Sequence, residues 1–187
     1  MRHQAHETRA HSFRVRIGVS MDTLEPYIRV PGWPIQQPNL AMRYRGRVLI
    51  VMLGPQLSHE AFAFHVKELE KAIDHRAQGD PVGVFYHSEA STAYSLDNVR
   101  MLSEMLKPRR ELLRATTAGF VMCTSSVINR TAIRLLGSLA PPPYPQSVVK
   151  SIQHGYDYLG RIVSGMPKQT LIDMHIKEAA ALGIITK

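Results

Sequence analysis

Only one cysteine, Cys123, and one tryptophan, Trp33, occur in the 187 residues. A lone thiol excludes an internal disulfide framework and leaves at most an intermolecular bridge, which fits a reducing compartment. No run approaches the roughly 18 apolar residues of a membrane span. The opening MRHQAHETRAHSFR lacks the apolar stretch of a secretory signal, so the expectation is a cytoplasmic protein. Catalytic signatures are missing too: there is no GxSxG elbow, P-loop, GxGxxG fingerprint or HExxH pair. No catalytic residue, cofactor or metal site is predicted, and the expectation is a protein that is not an enzyme.

What is present is an ordinary globular composition, 44% hydrophobic and 20% charged, with a formal charge of +8. The length fits one domain with extensions. The positive charge is concentrated in two segments. Residues 1–46 carry seven arginines against Glu7, Asp22 and Glu25; residues 101–134 carry Lys107 and five arginines against Glu104 and Glu111. Such surfaces attract phosphates without specificity, but most basic excess is merely solvated, so nucleic acid is not the expected partner. Nine histidines have poor metal spacing: His59 and His65 are six apart, His87, His154 and His175 are distant in sequence, and His3, His6 and His11 lie in the N-terminal segment. Cys123, inside GFVMC, reads as a small buried hydrophobe.

Residues 1–40 read as an N-terminal extension: a mobile tail, then FRVRIGV (13–19) alternating like an edge strand. A proline-punctuated arm follows that excludes a regular helix or central strand. Trp33 is the expected packing anchor of that arm. From Leu40 the pattern becomes regular. LAMRYRGRVLIVMLG predicts two strands around Arg45-Gly46. Ser58 caps a helix with Phe62, Val66, Leu69 and Ile73 inward. VGVFYH (82–87) predicts a buried strand, and Ser95 caps a helix with Val99, Leu102 and Met105 inward, broken at Pro108. GFVMCT (119–124) reads as a central strand. Ser125 or Ser126 caps the next helix, whose expected core stripe is Ile128, Ala132, Leu135, Leu136 and Leu139. Pro141–Pro143 lead to the strand SVVKS and a helix burying Ile152, Tyr156, Leu159 and Val163. A last helix, roughly 168–182, carries Ile172, Ile176 and Ala180 on one face. It is expected to pack on the parent domain or on another chain, which would make a homo-oligomer. The fold class is α/β: a mixed, mostly parallel sheet of about five strands with helices packed on it.

RGRVLIVMLG, RRELLRATTAGFVMCTSS and IRLLGSLAPPPYPQSVVKSIQHGYDYL, within residues 41–163, resemble the SpoIIAA-like STAS domain, the fold of anti-sigma-factor antagonists. The closer likeness is to bacterial STAS-like proteins often grouped with CRAL-TRIO lipid-binding domains. The resemblance implies a signalling or scaffold module acting through protein–protein contact. A small-molecule or lipid-binding module, using an apolar space between sheet and helices, is the second expectation. In phosphorylation-regulated members an Asp-Ser or Asp-x-Ser-Gly motif follows the strand matching VGVFYH. Here that turn is His87-Ser88-Glu89-Ala90-Ser91-Thr92, without the Asp and Gly, leaving Ser91 and Thr92 as candidates. In open α/β sheets ligands gather beyond the carboxyl ends of strands. Ser125, Ser126, Arg130 and Arg134 are therefore the remaining candidate contacts for a partner or an anion.

Overall fold

The computed structural model describes residues 24–76, 80–88 and 95–184. The expected tail and the FRVRIGV strand lie outside these residues, as do Ser91 and Thr92. Within them a six-stranded mixed sheet runs in chain order from β1 to β6. It comprises β1 (Ile35–Gln37), β2 (Leu40–Arg45), β3 (Val48–Leu53), β4 (Val82–His87), β5 (Thr117–Cys123) and β6 (Gln146–Val149). The first two strands are antiparallel, and β3 to β6 are parallel. The sixth strand, beyond the expected five, is β1. It comes from the proline-rich arm and occupies the sheet edge, where proline neighbours are tolerated.

Local chemistry explains the elements. Asn39 takes a positive φ of 60° in the tight β1–β2 turn, a conformation asparagine tolerates better than most residues. Gly46, at φ 52°, turns β2 into β3. Four helices start on serines whose hydroxyls accept a backbone N–H of the first turn: Ser58 for α1 (His59–Asp74), Ser95 for α2 (Leu96–Leu106), Ser126 for α4 (Val127–Leu139) and Ser151 for α5 (Ile152–Gly160). At Pro108 the chain tightens into a 3₁₀ turn, Lys107–Arg109, before α3 (Arg110–Thr116), because a proline ring cannot continue the α-helical hydrogen-bond ladder.

The strand order dictates the layers. Each crossover from β3 to β6 steps in the same direction, and right-handed crossovers then put α1 to α4 on one face. Leu49, Val51 and Leu53 of β3 point to that face, into a core with Phe62, Leu69, Leu102, Leu113 and Ile133. The alternate residues Val48, Ile50 and Met52 point to the other face, covered by α5 and by α6 (Lys168–Ala181) through Tyr156, Leu159, Leu171 and Ala179. All six residues of β3 and of β4 are buried, as expected for strands covered on both sides. β5 pairs on both edges with β4 and β6, so it is interior to the sheet.

Two helices are rotated from their expected phase. On α4 the buried residues are Asn129, Ala132 and Ile133, whereas Ile128 is 68% exposed, Leu135 38% and Leu139 37%. On α6 the buried residues are Leu171, Ile172, His175 and Ala179, with Ile176 exposed. In both cases a hydrogen-bonded polar side chain sits on the inward face and fixes the rotation. α6 packs on its own domain, and Glu178 ties it to β2 through Arg43 (2.8 Å) and Arg45 (3.2 Å). Its inward apolar side chains are thereby covered within the chain. Trp33 anchors the arm: its ring lies 5.7 Å from that of Tyr44, and its indole N–H donates to buried Glu68 at 3.1 Å.

Candidate functional site

The carboxyl ends of β4 and β5 meet the N-terminus of α4. Asn129, fully buried, donates from Nδ2 to the Ser88 carbonyl (2.8 Å), and lies 3.2 Å from Ser88 Oγ and 3.3 Å from Thr124 Oγ1. Thr124 Oγ1 also accepts from the Ser126 N–H at 3.1 Å, and Ser126 Oγ accepts from the Asn129 N–H at 3.3 Å. This polar knot welds two strand ends to one helix start. Such a buried network is stable only when its groups are paired; among the described residues the Asn129 Oδ1 acceptor has no partner.

The sequence candidates fall around this knot. Ser126 is the α4 cap. Ser125 is exposed, and its carbonyl accepts from Arg130 Nη1 at 3.0 Å. Arg130 therefore folds back on the strand end, while Arg134 is exposed one turn further along. The structure thus brings Ser125, Ser126 and Arg130 together and leaves Arg134 apart.

Beside the knot, α2 and α4 form an open groove lined by Leu96, Val99, Val127, Ile128, Thr131 and Leu135. Leu96 is 53% exposed and Val127 68%, matching Ile128. Ile128 and Leu135, expected in the core, instead join Leu96 and Val127 in a contiguous apolar surface, and such surfaces mark contact sites. Arg100 and Arg134 are exposed on the same two helices. Elsewhere five described arginines of the basic segments are paired with acids. Arg109 pairs with Glu70 and Asp74, and Arg114 with Glu111. Arg29 pairs with Glu25, and Arg43 and Arg45 with Glu178.

On the opposite face, histidines distant in sequence do meet. His87 Nδ1 and His175 Nε2 are 2.9 Å apart, and the Tyr156 hydroxyl lies 3.0 Å from His175 Nδ1. All three side chains are buried. Burial, and then the neighbouring His87, holds the His175 imidazole well below the usual range, and burial raises the Tyr156 hydroxyl well above it. A neutral His175 can donate from one ring nitrogen and accept at the other, which satisfies the chain without charge. No group of three potential metal ligands occurs among the described residues. Cys123 is buried beneath this face, in keeping with a packing role. Among the described residues no helix is long and apolar enough to cross a membrane.

Hydrophobic periodicity missed the groove, because it assigns exposed apolar residues to the core. It missed Asn129 because nothing in its local sequence marks it as buried. No family model, curated protein or solved structure matches the chain.

Proposed function

We propose that the protein is a non-catalytic, STAS-like signalling or scaffold protein of the bacterial cytoplasm, and that it acts through protein–protein contact at the α2–α4 groove. The observation that carries this reading is the exposure of Leu96, Val127, Ile128 and Leu135 side by side. Fully burying one such side chain contributes about 1.5–3 kcal/mol, so a partner covering the groove gains several such increments. The partner is an amphipathic segment with acidic flanks. Its apolar face fills the groove, and its carboxylates meet Arg100 and Arg134, giving steering and register. The polar knot keeps α4 fixed on the strand ends, so the groove is pre-formed and little is spent on ordering it.

The test compares the full chain with Ile128→Glu and Val127→Glu. Both positions are exposed, so thermal stability should change by less than about 0.5 kcal/mol. Partners captured from native lysate by the wild-type chain should be identified, purified and titrated against each variant. An affinity loss of at least tenfold for an acidic partner supports the reading. Equal affinity of wild type and variants overturns it. So does a wild-type dimer that the variants dissociate, since the groove would then serve a second copy.

A further inference from the structure

The sheet edge carries a gap beside β2. The proline-rich arm is bonded to β2 at two places: the Tyr27 N–H donates to the Gly46 carbonyl at 3.1 Å, and Ile35 of β1 pairs with Met42. Between them the arm arcs away and leaves a notch of about 300 Å³, roughly the share of ten water molecules. Arg29, Val30 and Trp33 line it from the arm, and Arg43, Tyr44 and Arg45 from β2.

The strand register aims the backbone of Tyr44 into this notch. Successive strand residues point their N–H and C=O to opposite neighbours. Two-residue turns at Pro38-Asn39 and Gly46-Arg47 close the two hairpins, so Gln37 with Leu40, and Arg45 with Val48, are hydrogen-bonded pairs. Leu40, Met42, Tyr44 and Gly46 therefore present their backbone groups to the β1 side. Met42 meets Ile35 there and Gly46 meets Tyr27. Tyr44, between them, meets only the notch. Among the described residues nothing bonds its N–H or C=O on that side, although the residue is 5% exposed. Buried backbone groups are almost always paired, and what is missing here is a donor beside an acceptor at strand spacing. The charge around the notch is positive. Arg43 and Arg45 share one carboxylate, Glu178, and Arg29 pairs with Glu25 on the open surface. Three guanidinium groups thus stand against two carboxylates, and an exposed pair such as Arg29–Glu25 exchanges readily.

We propose that the notch binds a small N-acylated α-amino acid, its amide N–H donating to the Tyr44 carbonyl and its carboxylate accepting from the Tyr44 N–H and from Arg29. Such a molecule reproduces one hydrogen-bonded residue of an antiparallel strand, and its single negative charge answers the single guanidinium in excess. Directly paired residues share a face of the sheet, so an apolar side chain on the ligand lands beside Tyr44, against Trp33 and Val30. A passing polypeptide strand does not fit. Met42 to Gly46 spans about 13 Å, and the arm's own bonds close both ends. The notch is at the sheet edge and does not depend on what occupies the α2–α4 groove.

Trp33 is the only tryptophan of the chain and lines the notch, so its fluorescence reports occupancy. The experiment titrates the full chain at neutral pH with N-acetyl-L-valine. Two analogues alter the ligand and leave the protein untouched: N-acetyl-N-methyl-L-valine lacks the amide donor, and N-acetyl-L-valinamide lacks the charge. Expected are a saturable change at millimolar concentration or below with N-acetyl-L-valine, and binding at least tenfold weaker for each analogue. Arg29→Ala, at an exposed side chain, should weaken N-acetyl-L-valine several-fold and leave the thermal midpoint where it is. An acetylated pentapeptide ending in the same valine should bind at least tenfold more weakly, because the closed ends exclude it. The proposal is overturned by the absence of saturable binding, which would leave the notch to water. It is also overturned by an N-methyl analogue that binds as tightly as N-acetyl-L-valine, or by an Arg29→Ala chain of unchanged affinity. A pentapeptide that binds as tightly would overturn it too, since the notch would then receive the end of a polypeptide.

Discussion

His65 on α1 is fully buried, with Nε2 3.2 Å from the Tyr86 hydroxyl and Nδ1 3.4 Å from Met42 Sδ. The Phe62 and Tyr86 rings meet its ring edge-on at 5.5 and 5.6 Å. These neighbours suit a neutral imidazole that accepts from Tyr86 and points its own N–H at the sulfur, and burial pushes its pKa down to about 3. The unfolded chain restores a value near 6.5. A histidine depressed on folding contributes stability that is intact above about pH 6.5 and drains away as the pH falls towards 3, because the unfolded state binds the proton first. The loss is about 1.4 kcal/mol per pH unit inside that window, hence about 3 kcal/mol at pH 4.5. Against a typical total of 5–15 kcal/mol this is a large fraction. Urea unfolding, followed by the fluorescence of Trp33, should be measured from pH 7.5 to 4.5 for the wild type and for His65→Gln, which keeps an acceptor for Tyr86 but does not titrate. The wild-type stability should fall more steeply, by the slope of one proton, and the two lines should converge at acid pH. Parallel lines would refute the buried-neutral assignment. His175 is depressed in the same direction and should leave a residual acid slope in the variant.

Two further substitutions probe packing and the polar knot. Gly155 of α5 presses its backbone on Phe85, and an added Cβ would collide with that ring and stand 3.1 Å from Val121 Cγ1. Gly155→Ala should therefore cost about 1–3 kcal/mol through overpacking, seen as a lower thermal midpoint, even though alanine is the better helix former; an unchanged midpoint would show that the ring yields freely. Asn129→Ala strips the Ser88 carbonyl of its Nδ2 donor and should cost about 1–3 kcal/mol, whereas Ser126→Ala, a cap loss, should cost about 1 kcal/mol. Chemical denaturation of both variants ranks them, and a smaller cost for Asn129 would remove its assigned part in setting the phase of α4.

What the sequence made legible was local. The strands from Val48, Val82 and Thr117, the serine caps and the break at Pro108 depend on residues within a few positions of one another, so pattern and turn chemistry place them. Pairings across the fold were not legible. Arg76 reaches Tyr44 and Thr117, 32 and 41 positions away, and His87 meets His175 across 88. The histidine spacings that argued against a cluster were measured along the chain, and β4 and α6 abolish that distance.

The rotations of α4 and α6 have one cause, and it bears on function. Periodicity reads apolar side chains alone, so it places the inward face where their sum is greatest. On α4 that sum points along Ile128, Leu135 and Leu139, but Asn129 finds three oxygens at the strand ends. An unpaired buried donor would cost about 1–3 kcal/mol; with Nδ2 paired inward, the helix turns and Ile128 goes to solvent. On α6 His175 similarly finds His87 and Tyr156, and Ile176 goes to solvent. The difference lies in what surrounds the displaced residues. Ile176 stands as a single exposed side chain, which is normal for any surface. Those of α4 join Leu96 across α2, so hydration falls on a contiguous surface rather than on scattered methyl groups. The groove therefore gathers apolar area that a partner could cover, which the buried histidines do not offer.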